Sequence, residues 1–168
     1  YKRQALVAGG TVTIENWPES TTQVGNDFID LLTVMGGSVS RTGTGMSVTG
    51  TGEINGIEID LSSAGELTPV IAALAALAKS KSVITGVAHL RGHETNRLKA
   101  LVDEINSIGG KATETPDGLT VAPSELSGGL WKTYGDHRMA TAGAILGLRV
   151  PGIEIEDITV TSKTMPGF

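Results

Sequence analysis

Residues 101–121, LVDEINSIGGKATETPDGLTV, carry the signal of a helix followed by a hairpin, and the chain contains this pattern twice. Residues 28–48, FIDLLTVMGGSVSRTGTGMSV, overlay the stretch without a gap. In the later copy Leu101, Ile105 and Ile108 recur at the spacing of one helix face. A Gly-Gly pair then follows in both copies, as is typical of a helix C-terminus. The overlay therefore predicts two equivalent structural units.

The segments after the two Gly-Gly pairs predict short hairpins. Ser38–Arg41 would pair with Met46–Val48, and Lys111–Thr115 would pair with Leu119–Val121. The second hairpin turns at Pro-Asp-Gly, whose residues favour a tight turn. Each unit is thus expected to place a two-stranded hairpin after its amphipathic helix.

A second overlay matches GELTPVIAALAAL, residues 65–77, to GDHRMATAGAILG, residues 135–147. Both stretches are apolar nearly all round a helix, which predicts helices buried in the domain interior. Strand patterns begin at Thr11, Ser82 and Gly152. The predicted order is strand, amphipathic helix, hairpin, strand and buried helix. The fold class is therefore α/β, with repeated βαβαββ units, parallel buried helices inside and sheets outside.

About two repeats fit into the chain, and both ends are ragged. Gln4–Gly10 resembles the last turn of a buried helix, and Thr161–Phe168 stops where a third amphipathic helix would begin. We therefore expect residues 1–168 to be a fragment of a longer protein.

Composition excludes several classes of function. With 168 residues, 39% hydrophobic content and a formal net charge of −5, the chain can bury one core and does not resemble a basic nucleic-acid binder. It has no cysteine, and its three histidines lack the spacing of a zinc site. The longest apolar run, Val70–Ala78, falls short of the roughly 20 residues that a bilayer requires. We expect a cytoplasmic protein without a metal, membrane or nucleic-acid partner.

The repeat also predicts where polar residues meet. Glu66 and the Asp136–Arg138 segment begin the two buried helices, whereas His89–Arg97 and Thr161–Thr164 precede the amphipathic positions. If equivalent helices are parallel, these segments share one rim. Helix N-termini favour anions because their backbone N–H groups are free and their dipole ends are positive.

Full charges at this rim strengthen the prediction of an anion site. Arg97, Arg138 and Lys163 are cations in an otherwise acidic chain, and we expect them to repel one another when no anion is bound. Glu66 and Glu94 lie among them and are candidate proton-transfer groups. The sequence therefore predicts a site for an anionic ligand.

Each residue also has an ordinary interpretation. Acids such as Glu66 and Asp136 are common in the first turn of a helix. His89 and His93 fit solvated loop positions, and the arginines fit surface ion pairs. Only their coincidence at one rim favours a functional site.

Four motifs, in order and spacing, resemble the C-terminal part of the 5-enolpyruvylshikimate-3-phosphate synthase family in its actinobacterial form. They are GELTP at 65–69, LRGHETNRL at 90–98, YGDHRMA at 134–140 and TSKTMP at 161–166. The resemblance covers essentially the whole chain. It implies two domains, each built from three βαβαββ units, in agreement with the repeat. Residues 1–168 would then be a fragment of one of these domains, with the N-terminal partner domain of the same protein outside this chain.

The resemblance implies transfer of the enolpyruvyl group of phosphoenolpyruvate to the 5-hydroxyl of shikimate 3-phosphate, without a metal or organic cofactor. Glu66 matches the acid that contacts this hydroxyl and is a candidate base, and Glu94 matches the acid proposed to protonate the methylene carbon. The remaining matches are residues expected to bind substrate: His93, Arg97, His137, Arg138 and Lys163.

Three positions depart from the commoner family pattern. His93 stands where a lysine is usual, Asn96 replaces an aspartate, and Glu66 replaces an aspartate that is one methylene shorter. Two alternatives stay open: the sister enzyme that acts on UDP-N-acetylglucosamine, and a non-catalytic anion-binding module on the same fold. The fragment alone is expected to be inactive, because it carries half a cleft.

Overall fold

The structure is a computed structural model that describes residues 2–18, 27–43 and 45–168. The chain divides into two compact units, Tyr1–Asn55 and Gly56–Phe168, and each is described by itself. No helix in the described ranges is long and apolar enough to cross a membrane.

In its described residues, the first unit contains two helices and one antiparallel sheet of order β1-β3-β2. Its elements are α1 (Lys2–Ala8), β1 (Gly10–Glu15), α2 (Asp27–Val34), β2 (Ser38–Thr42) and β3 (Gly45–Gly50). The core contains Leu6 of α1, Leu32 of α2 and Val48 of β3, all fully buried. The hairpin predicted after the first Gly-Gly pair is β2 and β3; Thr44 of its turn lies outside the described residues.

The second unit holds three α-helices, a mixed four-stranded sheet of order β4-β5-β7-β6 and a parallel pair, β8 and β9. Its strands are β4 (Glu58–Asp60), β5 (Ser82–Thr85), β6 (Lys111–Thr115), β7 (Gly118–Ala122), β8 (Gly129–Trp131) and β9 (Ile153–Ile155). Its helices are α3 (Thr68–Ala76), α4 (Arg97–Ser107) and α5 (His137–Gly147), with 3-10 turns at Gly65–Leu67, Ala88–Gly92 and Ile158–Lys163.

Helix α3 is the centre of the second unit, and every residue from Thr68 to Ala76 is buried. It packs against α5, whose Gly143 lies so close to Trp131 that a Cβ would meet the indole at 2.5 Å. The absence of a side chain at Gly143 thus lets α5 and the strand β8, which ends at Trp131, approach closely. The prediction of buried helices is confirmed for both segments.

Helix α4 is amphipathic, as its sequence pattern predicts. Leu98, Leu101 and Ile105 are fully buried, whereas Lys99 and Asp103 form an exposed ion pair of 2.7 Å on the other face. The predicted order of strands and helices is confirmed, and the fold class is α/β as expected. One boundary differs: Gly65–Leu67 forms a 3-10 turn, and α3 begins at Thr68 with a proline in its first turn, where the missing N–H costs nothing.

Candidate functional site

The N-terminal ends of α3, α4 and α5 open onto one cavity of about 470 Å³. Glu66 lies in the 3-10 turn before α3, Arg97 is the first residue of α4, and Arg138 lies in the first turn of α5. The cavity is lined by all seven residues predicted from the sequence, together with Thr164: Glu66, His93, Glu94, Arg97, His137, Arg138 and Lys163.

Arg97 is at the centre of the charged cluster, and its side chain is only 2% exposed. Its Nε donates to Oδ2 of Asp136 at 2.6 Å, Nη1 to Oε2 of Glu66 at 3.2 Å, and Nη2 to Oε2 of Glu94 at 3.1 Å. Burial works against the charge, but the hydrogen bonds and charges of these carboxylates outweigh it and raise the pKa of Arg97. The guanidinium is therefore fixed as a cation by three acids.

Asp136 has a role that the sequence analysis missed. It is fully buried, accepts two hydrogen bonds from Arg97 and also accepts the backbone N–H of Arg138 at 2.8 Å, which caps α5. The sequence indicated only an acid in a first helical turn. The contact with Arg97 depends on tertiary packing and left no local signal.

Glu66 joins the two arginines. Its Oε2 contacts Nε of Arg138, and its backbone carbonyl accepts from Nη1 of Arg138 at 3.1 Å. The same carboxylate oxygen accepts from Arg97. With its side chain 44% exposed, Glu66 is open to the cavity while remaining anchored to both cations.

Glu94 forms an ion pair with Lys163, whose Nζ donates to Oε1. This hydrogen bond lowers the pKa of Glu94 to about 2, although partial burial works in the opposite direction. The charges of Lys163, His137 and Arg97 contribute to this lowering. Glu94 is therefore ionised at neutral pH in the structure as it stands.

The two histidines of the site lie near different carboxylates. Nδ1 of His93 lies 3.0 Å from Nη1 of Arg97 and 3.5 Å from Oε1 of Glu66. Because arginine only donates, the contact with Arg97 requires Nδ1 of His93 to accept, which assigns the proton of a neutral ring to Nε2. His137 is largely buried, with Nδ1 at 3.5 Å from Oε2 of Glu94.

Two further positions are explained by the structure. Asn96 caps α4 by accepting the N–H of Lys99 at 3.1 Å, a role for which asparagine and aspartate are equally suited. His89 is exposed and does not line the cavity, but its ring centroid lies 5.6 Å from that of His93.

The expectation that the three cations would be uncompensated is wrong. Arg97, Arg138 and Lys163 each contact a carboxylate of the same cluster. Opposite charges at these distances remove the mutual repulsion that the sequence analysis predicted. An entering anion therefore competes with Glu66 and Glu94 for the same cations.

Glu94, Asp136 and His137 offer three atoms within 4.8 Å of one another that could hold a metal ion. Both carboxylates are already held by cations, Glu94 by Lys163 and Asp136 by Arg97. A divalent ion would meet two positive charges at this position, which disfavours it.

Comparison with known proteins decides the family. The model of the EPSP synthase family (3-phosphoshikimate 1-carboxyvinyltransferase) matches residues 2–168. The chain belongs to the EPSP synthase family. It is 54% identical over 164 residues to the 3-phosphoshikimate 1-carboxyvinyltransferase of Kocuria rhizophila, covering 98% of this chain and 37% of that relative. The chain thus spans little more than a third of this EPSP synthase.

Solved structures show the same fold. An EPSP synthase from Acinetobacter baumannii superposes with a TM-score of 0.82 at 25% identity, covering 98% of this chain and 42% of that one. The enolpyruvyl transferase NikO from Streptomyces tendae gives a TM-score of 0.71 at 18% identity, covering 97% of this chain and 38% of its own. At that identity NikO supports the fold alone.

Proposed function

We propose that this chain supplies one half of the active cleft of a 3-phosphoshikimate 1-carboxyvinyltransferase. The reaction moves the enolpyruvyl group of phosphoenolpyruvate to the 5-hydroxyl of shikimate 3-phosphate and releases phosphate, within aromatic amino-acid biosynthesis. The observation that carries the proposal is the convergence of Arg97, Arg138 and Lys163 with Glu66 and Glu94 on one cavity, in a chain of this family.

The cations provide the binding chemistry. Phosphoenolpyruvate carries a carboxylate and a phosphate close together, and planar guanidinium groups pair with both in a bidentate manner. Arg97 and Arg138 start neighbouring helices, so the free N–H groups of the first turns add to their charge. Lys163 supplies a point charge on a more exposed side chain than those of the two arginines.

The acids provide the proton transfers. As the 5-hydroxyl oxygen bonds to C2 of phosphoenolpyruvate, its proton passes to a base and the methylene carbon receives a proton, giving a tetrahedral intermediate. Loss of phosphate and of a methyl proton then restores the double bond. We assign the base contacting the hydroxyl to Glu66 and the acid at the methylene carbon to Glu94.

Glu94 must acquire a proton before it can act as an acid. The ion pair with Lys163 prevents this in the structure as it stands. A bound anion that draws Lys163 away would raise the pKa of Glu94 and make it protonatable. Substrate binding and activation of the acid are thereby linked through one lysine.

The rest of the cleft would come from the other part of the protein. The chain spans 37% of its curated relative, and we propose that it is a fragment of one enolpyruvyl transferase domain that is inactive by itself. Both substrates are phosphate esters, which do not cross a lipid bilayer unaided, so we place the enzyme in the cytoplasm.

A chimera tests the proposal directly. This chain would replace the matching segment of the Kocuria rhizophila relative. We expect the purified chimera to release phosphate when phosphoenolpyruvate and shikimate 3-phosphate are both present, and not with either alone. A well-folded chimera without this activity would contradict the proposal.

A further inference from the structure

The loop at residues 132–136 joins β8 to α5 and leads directly into Asp136, His137 and Arg138. Its conformation is unusual, because Tyr134 has a φ of 54° and Gly135 a φ of 69°. Left-handed backbone at a tyrosine is uncommon and persists only where surrounding contacts hold it. The contacts that hold this loop therefore influence the position of Asp136.

Glu104 of α4 supplies two of these contacts. Its side chain is buried, and the residue is 4% exposed. Oε2 accepts the backbone N–H of Lys132 at 2.9 Å, and Oε1 accepts the hydroxyl of Tyr134 at 2.6 Å. Glu104 does not line the cavity, so it has no direct contact with a ligand there.

The hydroxyl of Tyr134 stays protonated and can therefore donate its hydrogen bond to Glu104. Burial, followed by the hydrogen bond to Glu104 and the charge of that carboxylate, raises the pKa of Tyr134. The phenol therefore keeps its proton throughout the neutral range. The bond to Glu104 is charge-assisted and stronger than a neutral one.

A second carboxylate, that of Glu156, fixes Thr133, which lies between Lys132 and Tyr134 in the loop. Oε2 of Glu156 accepts the backbone N–H of Thr133 at 2.9 Å and its hydroxyl at 3.4 Å. The carbonyl of Thr133 then accepts the N–H of Asp136 at 2.8 Å, which closes the loop on itself. Hydrogen bonds to Glu104 and Glu156 therefore fix three consecutive residues of the loop, Lys132, Thr133 and Tyr134, just before Asp136.

We propose that Glu104 is a positioning residue for the charged cavity. Acting through Lys132 and Tyr134, it holds the 132–136 loop in the conformation that places Asp136 against Arg97. Arg97 and Glu104 lie seven residues apart on α4, about two turns, and thus on the same side of the helix. One helix therefore presents the arginine and also fixes the loop that carries the partner of that arginine.

The proposal rests on the proposed function only in taking the cavity as a site for phosphoenolpyruvate. Its test uses two measurements on the 168-residue chain. The first is the NMR resonance of the Arg97 Nε–H group without ligand, which reports the bond to Asp136. The second is the dissociation constant of phosphoenolpyruvate by calorimetry.

Three variants separate hydrogen bonding from charge. Glu104→Gln keeps an oxygen for Lys132 and offers an N–H to the Tyr134 oxygen, so the Arg97 resonance should stay in place and affinity should change by less than about 2-fold. Glu104→Ala and Tyr134→Phe should both shift the Arg97 resonance. By analogy with residues that orient metal ligands, Glu104→Ala should weaken binding by roughly 10-fold. The matched control is Glu125→Ala, an exposed glutamate.

The outcomes are decisive in each case. An unmoved Arg97 resonance in both Glu104→Ala and Tyr134→Phe overturns the proposal. The proposal is also overturned if Glu104→Gln and Glu104→Ala shift the Arg97 resonance equally. The charge of Glu104, and not its hydrogen bonds, would then determine the position of Asp136. If Glu104→Ala does not fold, Tyr134→Phe still gives the answer, since it removes a single hydroxyl. If the unmodified chain does not bind phosphoenolpyruvate, the affinities of the same variants are measured in the chimera described above, which carries both halves of the cleft, while the ligand-free resonance still tests positioning.

Discussion

Arg97 and Asp136 lie 39 positions apart in the sequence and are joined by a hydrogen bond of 2.6 Å between Nε and Oδ2, with both side chains shielded from solvent. A buried ion pair of this kind strongly penalises the loss of one partner, since the other is left charged in a poorly solvated place. The pair therefore links the stability of the second unit to the geometry of its cavity.

Replacing Asp136 by alanine should destabilise the chain by about 3 kcal/mol, because it strands the Arg97 charge and removes the cap of α5. Urea denaturation of the 168-residue chain measures this loss. The matched control is Asp103→Ala, which breaks an exposed pair with Lys99 and should cost about 0.5 kcal/mol or less. Equal effects of the two substitutions would contradict the structural role of Asp136.

Replacing Glu94 by glutamine should impair chemistry more than binding. An acid among cations contributes little to holding an anion, whereas loss of general acid catalysis costs roughly 100-fold or more in kcat. The assay is phosphate release by the chimera described above. Glu125→Gln, at an exposed position outside the cavity lining, is the control. Normal kcat in the Glu94 variant would remove Glu94 from the mechanism.

The ionisation of Glu94 should depend on Lys163. The hydrogen bond and charge of Lys163, together with the charges of His137 and Arg97, lower the pKa of Glu94 from 4.5 to about 2, so carbon-13 NMR of the carboxyl should show its midpoint near the lower value. In Lys163→Met we expect the midpoint to move upward. Since the folded pKa is the lower one, the pair contributes stability above about pH 4.5 and loses it as the pH falls toward 2. An unchanged midpoint in the variant would show that Lys163 does not hold the carboxylate in solution.

The isolated chain should not catalyse the reaction at any concentration. It carries the acids and cations of one cavity, and the proposed second half of the cleft lies outside it. Phosphate release from phosphoenolpyruvate and shikimate 3-phosphate by the 168-residue chain, compared with its Glu94→Gln variant, tests this. Turnover above the variant would mean that the whole site lies within these residues.

The sequence predicted the elements well because their signals are local. The apolar spacing of Leu101 and Ile105, the Gly-Gly helix ends and the Pro-Asp-Gly turn each act within one element. The repeat then supplied the arrangement, because equivalent helices begin at equivalent places. This is why residues as distant as Glu66 and Lys163 could be assigned to one rim.

The contacts between side chains of the site could not be predicted from local sequence patterns. Nothing near Asp136 shows that its carboxylate faces Arg97, and nothing near Glu104 shows that it holds Tyr134. Both contacts arise from packing between α4 and the segment before α5. The ion pairs between the three cations and the carboxylates were not predicted for the same reason. The sequence shows how many charged residues there are, but not which of them lie close together in the fold.

The charge pairing has a consequence for how fast an anion arrives. Around the cavity, the positive charges of Arg97, Arg138 and Lys163 are balanced by three carboxylates, and the whole chain has a formal net charge of −5. There is therefore no long-range electrostatic attraction between the cavity and an approaching anion. The anion can contact the three cations only after it displaces the carboxylate of Glu66 or Glu94. Added salt should then leave the association rate unchanged or increase it, the opposite of electrostatically steered capture.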